Sequence, residues 1–282
     1  MKILLVGGQS SLAQALQPVL ATFAEVLTAG RSGCALELDL SGSADQISLP
    51  PGIDVVINTA ASFVDGDINA LLTAEHINAL GALKLCDAAQ RAGVQHFVQI
   101  SSINAELDSR SDFYGIYGLS KRHGDELVQM YCARAELACT VLRPSQLYGE
   151  PDSFRRHQAF IYGTLDKALS NHDIVIYGNH DARRNYLHID DLCKIISAVI
   201  KDRVEGLYTC THPQDASLFG VASALVQAAG SSSSVSFDTS KSAISDNVFA
   251  YDDTLYRTLG LYPSISLEQG LGRLVDSRLQ AR

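Results

Sequence analysis

Lys2-Ile3-Leu4-Leu5-Val6-Gly7-Gly8-Gln9-Ser10-Ser11-Leu12-Ala13 is an apolar run that breaks on two glycines and resumes with helical spacing. Lys2 to Val6 reads as a buried strand, and Leu12, Leu16 and Leu20 then recur every fourth residue, the stripe of a one-sided helix. A strand that enters a helix through a turn of small residues suits a dinucleotide pyrophosphate, whose charge rests on the helix N-terminus. Here the turn spaces Gly7, Ser10 and Ala13. Ala13 is small enough for helix–strand packing. Ser10 brings a Cβ and a hydroxyl where bare backbone is usual, and that hydroxyl could itself donate to a phosphate. Gly7, Ser10, Ser11 and Leu12 form the expected phosphate-binding set, although an ordinary strand–helix connection carries a similar pattern.

The same alternation continues outward from this segment. Glu25–Thr28, Leu36–Leu40, Asp54–Asn58, Phe97–Ser101 and Thr140–Arg143 read as strands, and Asp54–Asn58 is almost wholly apolar, as a strand covered on both faces must be. Helices are expected over Ala74–Ala92, stopped by Gly93, and over Phe113–Ala135. Such a rhythm calls for an α/β fold, a doubly wound Rossmann-type parallel sheet with helices on both faces. After Pro144 the rhythm is lost until a helix at Asp190–Ile200, with shorter strands at Ile174–Tyr177 and Leu207–Cys210. The Ser-rich Gly230–Ser242 reads as a loop with one strand. The expected organisation is a dinucleotide-binding domain over 1–148, with segments near 182–210 returning to it. A smaller C-terminal substrate-binding lobe makes up most of 149–282.

Composition narrows the function classes. The 282 residues carry 31 acidic and 22 basic side chains, a net charge of −9, and no basic stripe of the kind a nucleic-acid binder displays. Six scattered cysteines show neither a C-x-x-C pair nor metal-ligand spacing, so reduced structural thiols in a cytoplasmic protein are expected, with no metal. No segment approaches the ~20 apolar residues that span a bilayer.

Further residues point to chemistry. Arg31 follows the second strand, where a dinucleotide fold places the ribose 2′ position. An acidic side chain there would favour NAD, whereas an arginine can pair with a 2′-phosphate. Arg31 tilts the cofactor toward NADP, with NAD left open; a solvated loop arginine is the plainer alternative. Tyr117 and Lys121 lie at i, i+4 on one helix face. A phenol with a pKa of ~10 is a poor proton shuttle at neutral pH, and an ammonium one turn away would favour its phenolate. Tyr114 has no such partner, because Gly118 occupies its i+4 position. Ser102 ends the fifth strand at the carboxyl edge of the sheet, where its hydroxyl could polarise a reacting carbonyl or alcohol. Each feature alone is common; their order along the chain, glycine turn, strand-end serine, then Tyr/Lys helix, is not.

The sequence thereby resembles the extended branch of the short-chain dehydrogenase/reductase superfamily over nearly its whole length. The resemblance runs through VINTAAS (Val56–Ser62), HINALGALKLCDAAQRAGVQHFV (His76–Val98), SS (Ser101–Ser102), YGLSK (Tyr117–Lys121), LRPSQLYGE (Leu142–Glu150), RRNYLHIDDL (Arg183–Leu192) and SLEQGL (Ser266–Leu271). It implies Ser102, Tyr117 and Lys121 as catalytic residues and Asn78 as support for the active-site side of the sheet. Asp39 and Leu40 would lie by the adenine, Thr59 and Ala60 near the pyrophosphate, and Pro144 at the cofactor. Gln146, Tyr148 and Arg184 would face the nucleotide part of an activated sugar. For Arg184 a diphosphate clamp also makes physical sense, against the plainer role of a salt bridge with Asp181 or Asp190. A homodimer through the helices at Ala74–Ala92 and Phe113–Ala135 is implied as well.

Dehydratases of this branch carry an Asp-Glu pair directly after the strand-end hydroxyl. Ile103 and Asn104 stand there instead and cannot eliminate water. The expected activity is NADP-dependent reduction of a keto group on a nucleotide-activated sugar, as in dTDP-4-dehydrorhamnose reductase-like members. An NAD-dependent nucleotide-sugar epimerase is the alternative. A catalytically inactive nucleotide-sensing protein is the third reading, and the complete Ser102/Tyr117/Lys121 set argues against it.

Overall fold

The computed structural model describes residues 1–280. The chain divides into two compact units. One comprises Met1–Pro144, Cys193–Cys210 and Asp253–Leu261; the other comprises Ser145–Leu192, Thr211–Asp252 and Tyr262–Arg282.

The first unit is built on strands β1 (Lys2–Val6), β2 (Glu25–Gly30), β3 (Leu36–Glu37), β4 (Val55–Asn58), β5 (His96–Ile100) and β6 (Ala138–Pro144), with a seventh strand at Gly206–Cys210. They form one sheet in which the seventh strand is followed by β6, β5, β4, β1, β2 and β3. All its pairings are parallel. The order reverses between β1 and β4, the switch point outside whose carboxyl ends open α/β sheets bind ligands. In register, Val6 pairs with Ala29 and Asn58, and Asn58 with Gln99. Gly7, Gly30, Thr59 and Ile100 therefore lie level along one edge of the sheet, with Ser101 one residue beyond.

The strands are apolar because both faces are covered. Leu4, Val56, Phe97 and Val141 pack in one cluster with Leu85, Ala88 and Val128 from the covering helices, each large side chain contributing about 1.5–3 kcal/mol by leaving water. The helices are α1 (Ser11–Leu20), α2 (Ile68–Glu75), α3 (Gly81–Arg91) and α4 (Ile116–Arg134), with most of Ile189–Asp202 and the short Thr254–Leu259. Two elements differ from the sequence expectation. β3 is two residues long rather than five, since an edge strand has only β2 to pair with. The expected helix over Ala74–Ala92 is divided by one π-helical turn, His76–Leu80, in which the Gly81 amide bonds the His76 carbonyl five residues back.

In the second unit, Gln146–Tyr148 pairs with Tyr186–His188 and Ile174–Tyr177 with Val235–Asp238, both parallel, while Arg183–Arg184 and Ala216–Ser217 are antiparallel. The helices Ala159–Leu169, Leu218–Ala228 and Leu267–Gln280 complete it. Among the described residues no helix is long and apolar enough to cross a membrane.

Candidate active site

Ser102 caps a short 3-10 turn, Ile103–Glu106, by accepting the Asn104 amide at 3.2 Å on its Oγ. That capping bond fixes the hydroxyl oxygen while leaving its hydrogen to donate. Tyr117 enters from the first turn of α4, near enough for the Ser102 side chain to act on its phenol. The approach depends on Gly118: a Cβ there would lie 2.5 Å from the Asn104 carbonyl oxygen. The glycine that denies Tyr114 a partner thus seats the tyrosine helix against the serine turn.

Lys121 is 1% exposed, and its Nζ donates to the Ile100 carbonyl at 2.8 Å. Burial brings its pKa down to about 8, opposed by the Asp125 carboxylate. Tyr117 moves the other way, pushed up to about 12 by burial, with the Ser102 hydroxyl opposing and Asp125 adding to the rise. Desolvation disfavours whichever form is charged, and it dominates both groups here. The simple expectation of an ammonium that draws the phenol down is therefore not what this arrangement displays. The ring of Phe63 stacks on that of Tyr117, with centroids 4.6 Å apart at 22°.

Asn78, on the π turn, is 1% exposed and uses its whole amide internally. Its Oδ1 accepts the Ser62 amide at 2.8 Å, and its Nδ2 donates to the Ser62 carbonyl and to Ser120 Oγ, both at 2.9 Å. It ties the segment before Phe63 to the residue before Lys121.

Sequence reasoning missed a buried ionic group beneath these residues. Asp125 is fully buried on α4, one turn beyond Lys121, and its Oδ2 accepts from Ser101 Oγ and Arg143 Nε, each at 2.8 Å. Arg143 also bonds Glu106. The signal was present: Tyr117, Lys121 and Asp125 continue one i, i+4 row, and Arg143 lies within the LRPSQLYG segment.

The phosphate turn has the form a pyrophosphate needs. Gly7 has φ +80°, and a Cβ on it would lie 2.6 Å from the Ala60 amide nitrogen, so this corner admits backbone only. Ser11 and Leu12 open α1, where amides lack helical acceptors. Ser10 behaves differently from the sequence reading: its Oγ accepts the Ala13 amide at 3.1 Å and lies 2.9 Å from Thr59 Oγ1. Thr59 in turn donates to the Val6 carbonyl at 2.8 Å. The Ser10 hydroxyl therefore serves as a helix cap, tying the turn to the end of β4. These residues fit a dinucleotide through backbone amides and small side chains. Arg31 is exposed just beyond β2 and acts on Asp39, whose carboxyl is held down chiefly by hydrogen bonds from Ser41. Leu40 is buried beneath Gly81, and Pro144 ends β6.

The remaining candidates lie in the second unit. Gln146 and Tyr148 are on one strand, paired with Tyr186 and His188. Tyr148 is 1% exposed, its hydroxyl against Gly270. Arg184 is buried, and its Nη1 donates to the Arg183 and Ser245 carbonyls at 2.8 and 2.7 Å. Glu150, His188 and Asp190 converge there, with Arg273 3.0 Å from Asp190.

The chain can now be set beside known proteins. It is 26% identical over 235 residues to the low-salt glycan biosynthesis protein Agl12 of Haloferax volcanii, covering 79% of this chain and 74% of that one. It is 30% identical over 237 residues to a dTDP-glucose 4,6-dehydratase of Streptomyces griseus, covering 79% and 71%. The UDP-glucose 4-epimerase of Thermotoga maritima, solved with UDP-glucose, superimposes with a TM-score of 0.79 at 17% identity, over 100% of this chain and 99% of that one. The profile of the NAD dependent epimerase/dehydratase family matches residues 3–209. With its parallel sheet, its glycine turn and its Ser/Tyr/Lys set, the chain is an enzyme of the NAD dependent epimerase/dehydratase family.

Proposed function

We propose that this enzyme epimerises a nucleotide-activated sugar, with Tyr117 moving the proton and Ser102 holding the reacting oxygen. The observation that carries this reading is the convergence of the Tyr117 phenol and the capped Ser102 hydroxyl with buried Lys121, followed by Ile103 and Asn104. A bound nicotinamide supplies hydride acceptance and return at the sugar carbon. Tyr117 Oη takes the proton of the reacting hydroxyl as the carbon is oxidised and gives it back when the carbon is reduced. Ser102 donates to the same oxygen while its own oxygen stays fixed by the Asn104 amide. In this reading Lys121, whose pKa burial brings down to about 8, supplies positive charge to the phenolate only as the proton moves, since burial holds the resting phenol up. Dehydration is excluded from this proposal because Ile103 and Asn104 carry no acid–base group.

The substrate lobe is assigned to the second unit. There Arg184 would hold the diphosphate through its planar fork, with Gln146 and Tyr148 shaping the nucleotide site. Asn78 supports the site from within the fold. The cofactor set comprises Gly7, Ser11, Leu12, Asp39, Leu40, Thr59, Ala60 and Pro144, with Ser10 acting through Thr59. A homodimer is also proposed, supported by Leu80, Leu119 and Met130, each about two-fifths exposed on the helical face of the first unit.

A second reading, NADPH-dependent reduction of a keto sugar, is favoured by Arg31 at the 2′ position of the ribose. A panel of nucleotide-sugars incubated with NAD, NADH and NADPH distinguishes the two. Interconversion of sugars without net change at the nicotinamide absorbance band is the expected result. Stoichiometric NADPH oxidation by a 4-keto sugar would replace epimerase with reductase.

A further inference from the structure

The residues around Ser102 are held by a closed ring of polar contacts that the reading above leaves without a role. Ser101 precedes Ser102, and its hydroxyl donates to Asp125 at 2.8 Å. Glu106 ends the 3-10 turn that follows Ser102 and bonds Arg143. Arg143, on β6, donates to the same Asp125 oxygen at 2.8 Å. The turn carrying Ser102 is thus anchored at both ends to one carboxylate, directly or through one guanidinium. That carboxylate stands on α4 one helical turn from Lys121, whose own amine donates to the carbonyl of Ile100, immediately before Ser101. Asp125 therefore meets all three elements that present the Ser/Tyr/Lys set: α4, the end of β5 and the turn after it.

We propose that Asp125 is a positioning residue of this site, setting the place of Ser102 through Ser101 and Arg143 and setting its charge one helical turn from the Lys121 amine. The proposal deepens the acid–base reading above and rests on it for its catalytic meaning.

Three observations carry the electrostatic half. The Asp125 side chain is fully buried, so its field is not screened by solvent as a surface charge would be. Its Oδ1 has no hydrogen-bond partner among the described residues, so only Oδ2 is engaged. The titratable and charged groups that face it are Lys121 on its own helix, Arg143 and Cys139 on β6, and Tyr117 one turn beyond Lys121. Glu106 reaches it through Arg143. Of these, Lys121 gains its cationic form from Asp125 against the pull of burial. Removing the carboxylate leaves burial unopposed at the ammonium.

Lys121 can be watched directly, without any substrate. The chain has seven lysines, so lysine labelled with 13C at Cε gives a short NMR spectrum in which Lys121→Met identifies one signal. In Asp125→Asn the titration midpoint of Lys121 is expected to fall by a pH unit or more, about a tenfold change in its protonation equilibrium. Asp125→Glu, which keeps the charge, is expected to leave it within ~0.3 unit on the same scale. An unmoved midpoint in folded Asp125→Asn would overturn the proposal and leave Asp125 a purely structural residue. Should that variant fail to fold, because a lone buried Arg143 is costly, Asp125→Asn with Arg143→Gln removes the buried cation too, leaving only the part-exposed Glu106 without its partner, and its midpoint is read against Arg143→Gln alone. The same fall is expected there, and an unmoved midpoint overturns the proposal equally. The alkaline limb of the kcat/KM profile is expected to follow the midpoint. If no nucleotide-sugar is turned over at all, the epimerase reading fails while the lysine titration still decides the role of Asp125.

Discussion

The ring of Phe63 lies 4.6 Å from that of Tyr117 at an angle of 22°, yet Phe63 remains 52% exposed. A phenyl ring placed for core packing would be covered. This one stacks on the tyrosine proposed for proton transfer while half of its surface stays exposed. Stacking of this kind is worth about 0.5–1.5 kcal/mol, enough to hold a phenol in one rotamer. Phe63→Ala is expected to lower kcat by up to ~10-fold with little change in thermal midpoint, since little buried area is lost. A large loss of stability with normal kcat would show the ring to be structural.

Tyr117→Phe keeps that stacked pair and removes only the hydroxyl. Turnover should fall at least ~100-fold, the usual scale for a lost proton-transfer group. NADH and NADPH binding, followed by nicotinamide fluorescence, should be preserved. Retained turnover would remove Tyr117 from the mechanism.

Asn78→Ala deletes three buried hydrogen bonds and leaves the Ser62 amide and carbonyl without their partner. A loss of about 2–4 kcal/mol is expected, at roughly 1 kcal/mol per bond with an added penalty for unmet groups. Urea unfolding measures it. A midpoint equal to that of the parent would mean that the Ser62 segment is held by other contacts.

His96 gives the protein an acid limit. It is 2% exposed, and burial, aided by Arg203, lowers its pKa to about 4. The Thr140 hydroxyl donates to the Val204 carbonyl and so accepts from His96 Nε2 at 2.7 Å, which places the proton of the neutral ring on Nε2. An unfolded histidine titrates near 6.5, so between about 6.5 and 4 the unfolded chain binds the extra proton. This contribution is therefore complete above pH ~6.5 and lost as pH falls toward ~4, roughly 3 kcal/mol over the window. His96→Gln should flatten that part of the stability profile, and an unchanged slope would assign acid sensitivity elsewhere.

Arg31→Ala separates the two cofactors. If the guanidinium meets a 2′-phosphate, NADPH affinity should drop about 10- to 100-fold, the worth of a charge-assisted pair, with NADH affinity nearly unchanged. Equal effects on both would make Arg31 a solvated loop residue.

The fold was legible because its signals are local. Strands covered on both faces are continuous apolar runs, and α4 could be read from the period of Tyr117 and Lys121. Three features were not legible. The Ser10 hydroxyl was open to a phosphate reading, because nothing near it in sequence announces Thr59, 49 residues away. Asp125 shares the helical row of Tyr117 and Lys121, but its partner Arg143 arrives eighteen residues later, on a strand. Phe63 stands in a loop without periodicity, where only the folded chain places its ring on Tyr117. Contacts between distant segments decided the detail of the site in each case.

The π turn at His76–Leu80 carries a consequence for how this chain can change by descent. A π turn holds one residue more than the α-helical turn it replaces, so it behaves as a fixed single-residue insertion. Loss of any one codon across 76–80 would restore a regular helix and by itself favour the backbone. It would also rotate every preceding helical position by about 100° and swing the amide at 78 away from Ser62 and Ser120. Length in this short stretch is therefore less free to drift than the identity of the exposed side chains along it.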